Sequence, residues 1–170
     1  MPSTEVMHKW KALMTISEEW LAGFFDGEGC INITVAGKHR RCILRLYIVN
    51  TDMDVLSRIQ SEYGGFLSER VHPNHPNWKP CGTLTWTNQQ ARELLERIGK
   101  HIILKRRQLD LALEFLSLRG SPDRFEVASV AGVPSRNRKF VRRISADMLV
   151  KESGLKEKMH DLNRKGRSVH

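Results

Sequence analysis

The stretch Ser17–Ile33, SEEWLAGFFDGEGCINI, decides the fold of this chain. Ser17 followed by two glutamates is typical of a helix N-cap with acids near the positive end of the helix dipole. Gly23 and Gly27 lie four residues apart, so they share one helical face and leave bare backbone there. An interior glycine costs a helix about 0.5–1 kcal/mol relative to alanine. Two glycines on one face therefore indicate the close approach of another helix.

Two acids end this predicted helix and a strand follows them. Asp26 and Glu28 lie at the C-terminal end, where the helix dipole disfavours anions, so a nearby cation is expected to offset the repulsion. From residue 30 to residue 36, apolar residues alternate with polar ones, which predicts a half-buried strand. A polar helix end with a turn is the simpler alternative for the Asp-Gly-Glu-Gly run.

Residues 20–29, WLAGFFDGEG, resemble the signature of the LAGLIDADG homing endonucleases, from the Leu-Ala-Gly start to the acid–small–acid–Gly end. The downstream pattern extends the resemblance over roughly residues 15–145. The resemblance implies an α+β fold with an αββαββα core, in which helices back a four-stranded antiparallel DNA-binding sheet and further helices follow at the C-terminus. We therefore expect an N-terminal lead-in over 1–14, an endonuclease domain over 15–145 and a basic C-terminal extension over 146–170.

Hydrophobic periodicity gives the element order α-β-β-α-β-β-α-α. The capping residues Asp52 and Asn88 precede two of the helices. After the last of these helices we expect a short helix ending near Gly132, a basic loop over 134–143 and one or two helices in the tail. The predicted strands cover about 30–36, 41–49, 66–72 and 82–87, and the predicted helices about 17–27, 53–63, 89–98 and 104–118.

The positive charge is confined to the C-terminal part of the chain. Residues 1–99 contain 11 Lys and Arg against 11 Asp and Glu, whereas residues 100–170 contain 17 against 8, which accounts for the whole formal charge of +9. Such a basic segment indicates a polyanionic partner, and nucleic acid is favoured over a membrane surface because no apolar face accompanies the charge. A well-solvated surface is the alternative.

The sequence predicts an intracellular, cytoplasmic protein. No apolar run approaches the roughly 20 residues that span a bilayer, and the N-terminal residues contain no apolar core of a signal peptide. The three cysteines are too few and too scattered for a disulfide framework, which fits a reducing compartment.

The chain contains one such glycine-faced helix and no second copy. The resemblance therefore points to the single-motif members of the family, which form homodimers by packing the two signature helices together. The residues assigned to this interface are Leu21, Gly23, Phe24 and Gly27. Two-fold symmetry of the dimer implies a near-palindromic DNA site.

The resemblance implies hydrolysis of DNA phosphodiester bonds with Mg²⁺ as cofactor, and Mn²⁺ or Ca²⁺ as ions that bind in its place. Glu28 is the implied metal ligand together with the backbone carbonyl of Gly27, while Asp26 is assigned a structural role. Carboxylate and carbonyl oxygens are the hard ligands that Mg²⁺ prefers. The family most often has Asp where this chain has the longer Glu28.

Two further catalytic residues follow from the resemblance. Lys105 matches a basic residue that the family places near the scissile phosphates, although a surface lysine at a helix start is the alternative. Asn50, at the end of the second strand, matches a polar residue that orients the attacking water. An N-cap role is open for Asn50 and is compatible with the first.

Outward-facing strand positions are the expected DNA-reading residues, because side chains alternate between the faces of a sheet. Arginine there can pair with guanine in the major groove. These positions are Asn32, Thr34, Lys38, Arg41, Arg45, Tyr47, Ser68, Arg70, Thr83 and Thr85. A second basic set is expected to contact phosphates, which contributes affinity without sequence information; it comprises Arg136, Arg138, Lys139, Arg142 and Arg143.

Together these features predict an intron-encoded, site-specific homing endonuclease that acts on double-stranded DNA as a homodimer. Two alternatives use the same fold without cleavage: a maturase that binds intron RNA, and a DNA-binding regulator. The presence of Glu28 and Lys105 favours the endonuclease, because a non-cleaving relative has no need of them.

Overall fold

The computed structural model describes residues 15–37, 41–70, 79–121, 125–128 and 141–165. These residues form helices, strands and one short 3₁₀ helix. The α-helices are α1 (Glu18–Glu28), α2 (Met53–Tyr63), α3 (Gln89–Ile98), α4 (Arg106–Gly120) and α5 (Ala146–Lys165), and the 3₁₀ helix is Gly99–His101. The strands are β1 (Gly29–Ala36), β2 (Arg41–Asn50), β3 (Phe66–Arg70), β4 (Cys81–Thr87), β5 (Phe125–Ala128) and β6 (Val141–Ile144).

The first four strands form one sheet in the order β1-β2-β4-β3. β4 pairs antiparallel with both β2 and β3, so Tyr47 and Phe66 both lie opposite Thr85. Burial alternates along β2, where Leu44, Leu46 and Ile48 are fully buried and the residues between them are not. The predicted α+β fold with a four-stranded antiparallel sheet is confirmed.

The chain divides into two compact units, of which the first comprises residues 1–31 and 45–106. In this unit α1 packs against α3, and α2 and α3 both pack on β4. Gly82 of β4 permits the close approach of α2, because a Cβ atom there would lie 2.5 Å from Leu56 Cδ1 and 2.5 Å from Met53 Sδ. Trp86 and Phe25 are the largest fully buried side chains of its core.

A cluster around Arg97 fixes the start of α1. The guanidinium of Arg97 lies over the ring of Tyr63, 4.0 Å from its centroid, and its Nε is 3.2 Å from Glu18 Oε1. The Tyr63 hydroxyl donates a hydrogen bond of 2.6 Å to the carbonyl of Ile16. Ser17 caps the helix as predicted, with its side chain accepting from the backbone N–H of Trp20.

The second unit comprises residues 32–44 and 107–170. Its buried side chains include Phe115 of α4 together with Leu155 and Met159 of α5. Arg119 donates a hydrogen bond of 3.2 Å to the carbonyl of Cys42. Burial raises the pKa of the Cys42 thiol above its ordinary value, and the charge of Glu152 acts in the same direction.

The structure differs from the sequence prediction after α4. The predicted short helix before Gly132 is wrong, because Phe125–Ala128 forms β5 and pairs antiparallel with β6. Likewise residues 141–143, predicted as loop, belong to the partner strand Val141–Ile144. Strands of four residues are stable only when paired, and the pairing partner lies too far along the chain for local periodicity to reveal it. The tail forms one helix, α5.

Helix capping also differs in detail at one position. Asp52 caps α2 as predicted, since its side chain accepts from the backbone N–H of Val55 at 3.1 Å. Asn88 occupies the N-cap position of α3, but with φ +47° its side chain makes no capping hydrogen bond. None of the helices in the described ranges combines the length and the apolar character that a bilayer crossing needs.

Candidate active site and nucleic-acid face

Asp26 joins the end of α1 to the segment that precedes α4. Its carboxylate accepts three backbone hydrogen bonds: from Ile103 at 2.7 Å and Leu104 at 3.0 Å on Oδ2, and from Lys105 at 3.1 Å on Oδ1. The residue is only 7% exposed. Because all three donors come from one turn of backbone, the carboxylate fixes the position of that turn. The structural role predicted for Asp26 agrees with this geometry.

Lys105 is held at the C-terminal end of α1. Its ammonium group donates to the backbone carbonyl of Asp26, in the last turn of the helix, where carbonyl groups carry partial negative charge. A cation at this end was expected from the two acids in the sequence. Lys105 supplies one positive charge from within the chain. We call the three hydrogen bonds to the Asp26 carboxylate and the hydrogen bond from Lys105 to the Asp26 carbonyl the Asp26–Lys105 clasp.

Glu28 is the last residue of α1 and is exposed, as is Gly27 before it. The C-terminal carbonyls of a helix have no donor within the helix, so the Gly27 carbonyl and the Glu28 carboxylate are oxygen donors on consecutive residues. Among the described residues there is no group of three or more His, Cys, Asp and Glu side chains that could hold a metal ion by itself. Mg²⁺ is commonly bound by one or two carboxylates plus substrate phosphates and water, and this donor set fits that mode.

Asn50 is the last residue of β2, and its side chain has a local partner. Its Oδ1 accepts a hydrogen bond of 2.8 Å from the backbone N–H of Asp52. The N-cap of α2 is Asp52 itself, so Asn50 shapes the turn before the helix rather than capping it. The amide oxygen has two lone pairs and the NH₂ group has two donors, so this bond leaves Asn50 able to make the predicted contact with water.

One face of α1 is open. Trp20 is 47% exposed and stacks on half-buried Phe24 with ring centroids 5.0 Å apart. A Cβ atom added at Gly23 or Gly27 would meet nothing within 4 Å, so the glycine strip faces empty space within the described chain. We call the set Trp20, Gly23, Phe24 and Gly27 the open face of α1.

Leu21 does not belong to this open face. Its side chain is 0% exposed and lies in the core of its own chain. The sequence assignment of Leu21 to the helix–helix interface is corrected accordingly. Leu21 was assigned to the interface from its apolar character, and only packing in the folded chain separates the core-facing positions of α1 from the outward ones.

Most of the predicted DNA-reading side chains whose exposure is described are accessible. Arg41, Arg45 and Ser68 are exposed, and Asn32, Thr34, Tyr47 and Thr83 are half-buried. Thr85 is a correction, because it is 9% exposed and lies between Tyr47 and Phe66 in the sheet register. Two sets of predicted residues are not covered: Lys38, Arg136, Arg138 and Lys139 lie outside the described residues, and the side chains of Arg70, Arg142 and Arg143 are not described.

The outward face of the sheet is less polar than the sequence suggested. Phe66 is 70% exposed and Val49 is 39% exposed. Phe66 precedes Ser68 by two residues and therefore shares its face, which is the signal that sequence reasoning could have used. The Asp26–Lys105 clasp was likewise not foreseen as a unit, since 77–79 residues separate the bonded groups.

The comparison with protein families agrees with the motif and its setting. The profile described as "LAGLIDADG endonuclease" matches residues 21–111, more than half of the chain. The chain belongs to the LAGLIDADG endonuclease family. No curated protein sequence matches this LAGLIDADG chain.

Solved structures of LAGLIDADG homing endonucleases share the fold. The homing endonuclease I-CvuI in complex with its target is 21% identical with a TM-score of 0.61, covering 85% of this chain and 80% of that one. The archaeal intron-encoded homing endonuclease I-Vdi141I complexed with DNA is 15% identical with a TM-score of 0.61, covering 85% and 82%. The homing endonuclease I-TnaI is 16% identical with a TM-score of 0.60, covering 92% and 100%.

Proposed function

We propose that the protein is a site-specific homing endonuclease that cuts both strands of a long, near-palindromic DNA site. It acts as a homodimer, and its cofactor is a divalent cation, with Mg²⁺ as the preferred ion. The observation that supports this most directly is the end of α1. There, Glu28 ends the helix with an exposed carboxylate, and the ammonium group of Lys105 is held on the carbonyl of Asp26, two residues before Glu28. The chain that carries this arrangement belongs to an endonuclease family.

Hydrolysis of a phosphodiester needs a water nucleophile, neutralisation of the phosphate charge and stabilisation of the leaving oxygen. A bound divalent cation supplies charge neutralisation and lowers the pKa of a bound water. Glu28 and the carbonyl of Gly27 would hold this ion, and the amide of Asn50 would orient the water. Lys105, placed by the clasp, contributes positive charge that stabilises the phosphate as negative charge accumulates on it.

The homodimer is proposed from the open face of α1. The two glycines leave room for the backbone of a second α1, and the stacked Trp20 and Phe24 offer apolar surface beside them. A two-fold axis through this contact would bring together the two Glu28 carboxylates, one for each DNA strand. The cations and the two Lys105 side chains offset the resulting repulsion.

Reading of the site is proposed for the outward strand residues, excluding Thr85. The exposed Arg45 and Arg41 are suited to guanine, and the basic residues after 134 are assigned to phosphates. Each reading arginine is expected to contribute about 1–3 kcal/mol of discrimination against the wrong base.

The test is selection and cleavage on a randomised DNA library, with and without Mg²⁺. Wild-type protein is expected to recover one near-palindromic site and to cut it only with the cation. Glu28→Gln should retain binding and lose cleavage. Glu96→Gln, which changes an exposed carboxylate on α3, is the matched control and should cut normally.

Two outcomes would overturn the proposal. Retention of DNA without cutting under any divalent cation would indicate a regulator. Retention of RNA in preference to DNA by both wild type and Glu28→Gln would indicate a maturase.

A further inference from the structure

We propose that Phe66 reads the 5-methyl group of a thymine in each half of the DNA site. The inference rests on the proposed function and adds to it a base preference at one position. It begins from a row of three residues across β3, β4 and β2, in which Phe66 and Tyr47 lie on either side of Thr85. We call this the aromatic row.

Helices α2 and α3 pack on β4, and α2 does so at Gly82. Thr85 is three residues from Gly82 and therefore points to the opposite face, which is the face of the aromatic row. Residues that lie directly opposite each other in a sheet point to the same face. Ser68, two residues after Phe66, points to this face too and is exposed. Thr85 in the middle is buried at 9% exposure, whereas Phe66 is 70% exposed. The Phe66 ring, on the edge strand β3, is therefore available to a ligand.

Tyr47 is the less available ring. The guanidinium of Arg45 lies 5.6 Å from the centroid of the Tyr47 ring, which is within the range of a cation–π contact. Phe66 has no polar side-chain atom and is 70% exposed, so burying its ring against an apolar group is favourable. The aromatic row thus contains one exposed apolar ring, Phe66, and one ring, Tyr47, that is in contact with Arg45.

The surroundings of Phe66 favour a group of a DNA base as the apolar partner of its ring. The next row of the sheet on this face contains Ser68, Thr83 and Val49, and the positions of both rows include no carboxylate. Arg45 adds a positive charge at the end of the face. Hydroxyl groups, one cation and isolated apolar groups are the mixture that reads base edges, while a purely apolar partner would leave the hydroxyls unpaired.

In the major groove, the apolar group that a base edge presents is the C5-methyl of thymine. Residues two apart on a strand are separated by about 6.6–6.8 Å, which is about two base pairs at 3.4 Å per base pair. Phe66 and Ser68 would therefore face base pairs two steps apart. The three strands of the row span about 10 Å, which fits the roughly 12 Å width of the groove.

The experiment uses the recovered site and replaces its thymines one at a time with deoxyuridine, which lacks only the methyl group. At one position per half-site, the replacement is expected to weaken wild-type binding by about four-fold. When both half-sites carry the replacement at that position, binding should weaken by roughly 15-fold. All other single substitutions should change affinity less than two-fold (about the precision of such measurements).

The protein side of the experiment is Phe66→Ala. This variant should bind the thymine and deoxyuridine sites with equal affinity, while Phe66→Leu keeps part of the difference. Leu113→Ala, which removes a 43% exposed apolar side chain from α4, is the control and should keep the full wild-type ratio. Thermal melting of each variant shows that the fold is retained.

The outcomes separate the inference from the function on which it rests. A wild-type protein that selects and cuts DNA, but tolerates deoxyuridine at every position, overturns the inference alone. The same holds if Phe66→Ala keeps the wild-type ratio, which would mean that another part of the chain covers the ring. A protein that selects no DNA overturns the proposed function and this inference together.

Discussion

At the scale of single residues, Asp26 and Glu28 show that two acids of one motif can have different surroundings. The two acids of the motif look equivalent in the sequence, and only a family resemblance separated them. In the structure Asp26 is buried and accepts three backbone N–H groups, whereas Glu28 is exposed. The structural role predicted for Asp26 fits its burial, and the metal-binding role of Glu28 stays a prediction. The partner of Asp26 could not be predicted, because nothing local marks residues 103–105 as donors.

Replacing Asp26 with Ala should destabilise the protein by about 2 kcal/mol or more, since three part-buried N–H groups lose a charged acceptor. Asp26→Asn should cost less, because its single carbonyl oxygen can still accept from Ile103 and Leu104 while its NH₂ faces the N–H of Lys105. Chemical denaturation of both variants measures this order. Equal stability of the two variants and the wild type would show that the clasp is not formed.

Asp26→Asn should also slow DNA cleavage more than it weakens DNA binding, because the loop that carries Lys105 shifts. The rate under saturating enzyme, compared with the affinity measured without cation, separates the two effects. Lys105→Met is the companion variant, and a similar defect in both is expected. A cleavage rate unchanged in Asp26→Asn, with the stability lowered, would limit Asp26 to folding.

The thiol of Cys42 gives a second residue-scale prediction. Its pKa is raised by burial, so the thiolate fraction at pH 8 is below that of an ordinary cysteine. Cys30 and Cys81 are half-buried, and they should react first with a chromogenic disulfide reagent, leaving Cys42 for a slow phase. Cys42→Ala should remove the slow phase alone, and a protein whose three thiols react in one fast phase would contradict this burial.

At the scale of elements, prediction succeeded where periodicity and caps agree and failed where pairing decides. α2 was predicted over 53–63 and is found there, because Asp52 caps it and an apolar stripe follows. The pair β5 and β6 was missed, since each strand has four residues and is defined by its partner. Sequence reasoning therefore gave the core elements and missed the second sheet.

The open face of α1 yields a prediction for the whole element. Gly23→Leu adds a side chain where the chain itself leaves space, so the folded protomer should persist while the proposed helix pair cannot form. Sedimentation should then report a monomer, against a dimer for wild type. Gly154→Leu is the matched control, because Gly154 is also helical with nothing within 4 Å of its Cβ position, and it should remain dimeric.

At the scale of the whole molecule, charge is distributed by segment. The formal charge of +9 lies entirely in residues 100–170, while the preceding 99 residues are neutral. This division was fully visible in the sequence. What the sequence could not give is the exposure of individual side chains, as the burial of Leu21 and Thr85 and the exposure of Phe66 show.

Salt dependence should distinguish the two kinds of DNA contact. Neutralising Arg136, Arg138 and Lys139 together is expected to reduce the slope of log affinity against log salt by about 3 per protomer, with base preference unchanged. Arg45→Gln should instead relax the preference at one base pair and change the slope by about 1 or less. Binding titrations over a range of NaCl concentrations measure both, and an unchanged slope in the triple variant would remove those residues from the phosphate contacts.

The Asp26–Lys105 clasp has a consequence for how the protein is made. Its two sides are 77–79 residues apart, and ribosomes add about 5–20 residues per second. The helix with both acids therefore emerges roughly 4–15 seconds before the lysine that completes the arrangement. The last strand of the main sheet ends at Thr87 and emerges only about 1–4 seconds before that lysine. During that last interval the nascent chain carries the strands proposed to read DNA without Lys105, so a protein truncated before residue 103 should not cut DNA in the cell that makes it.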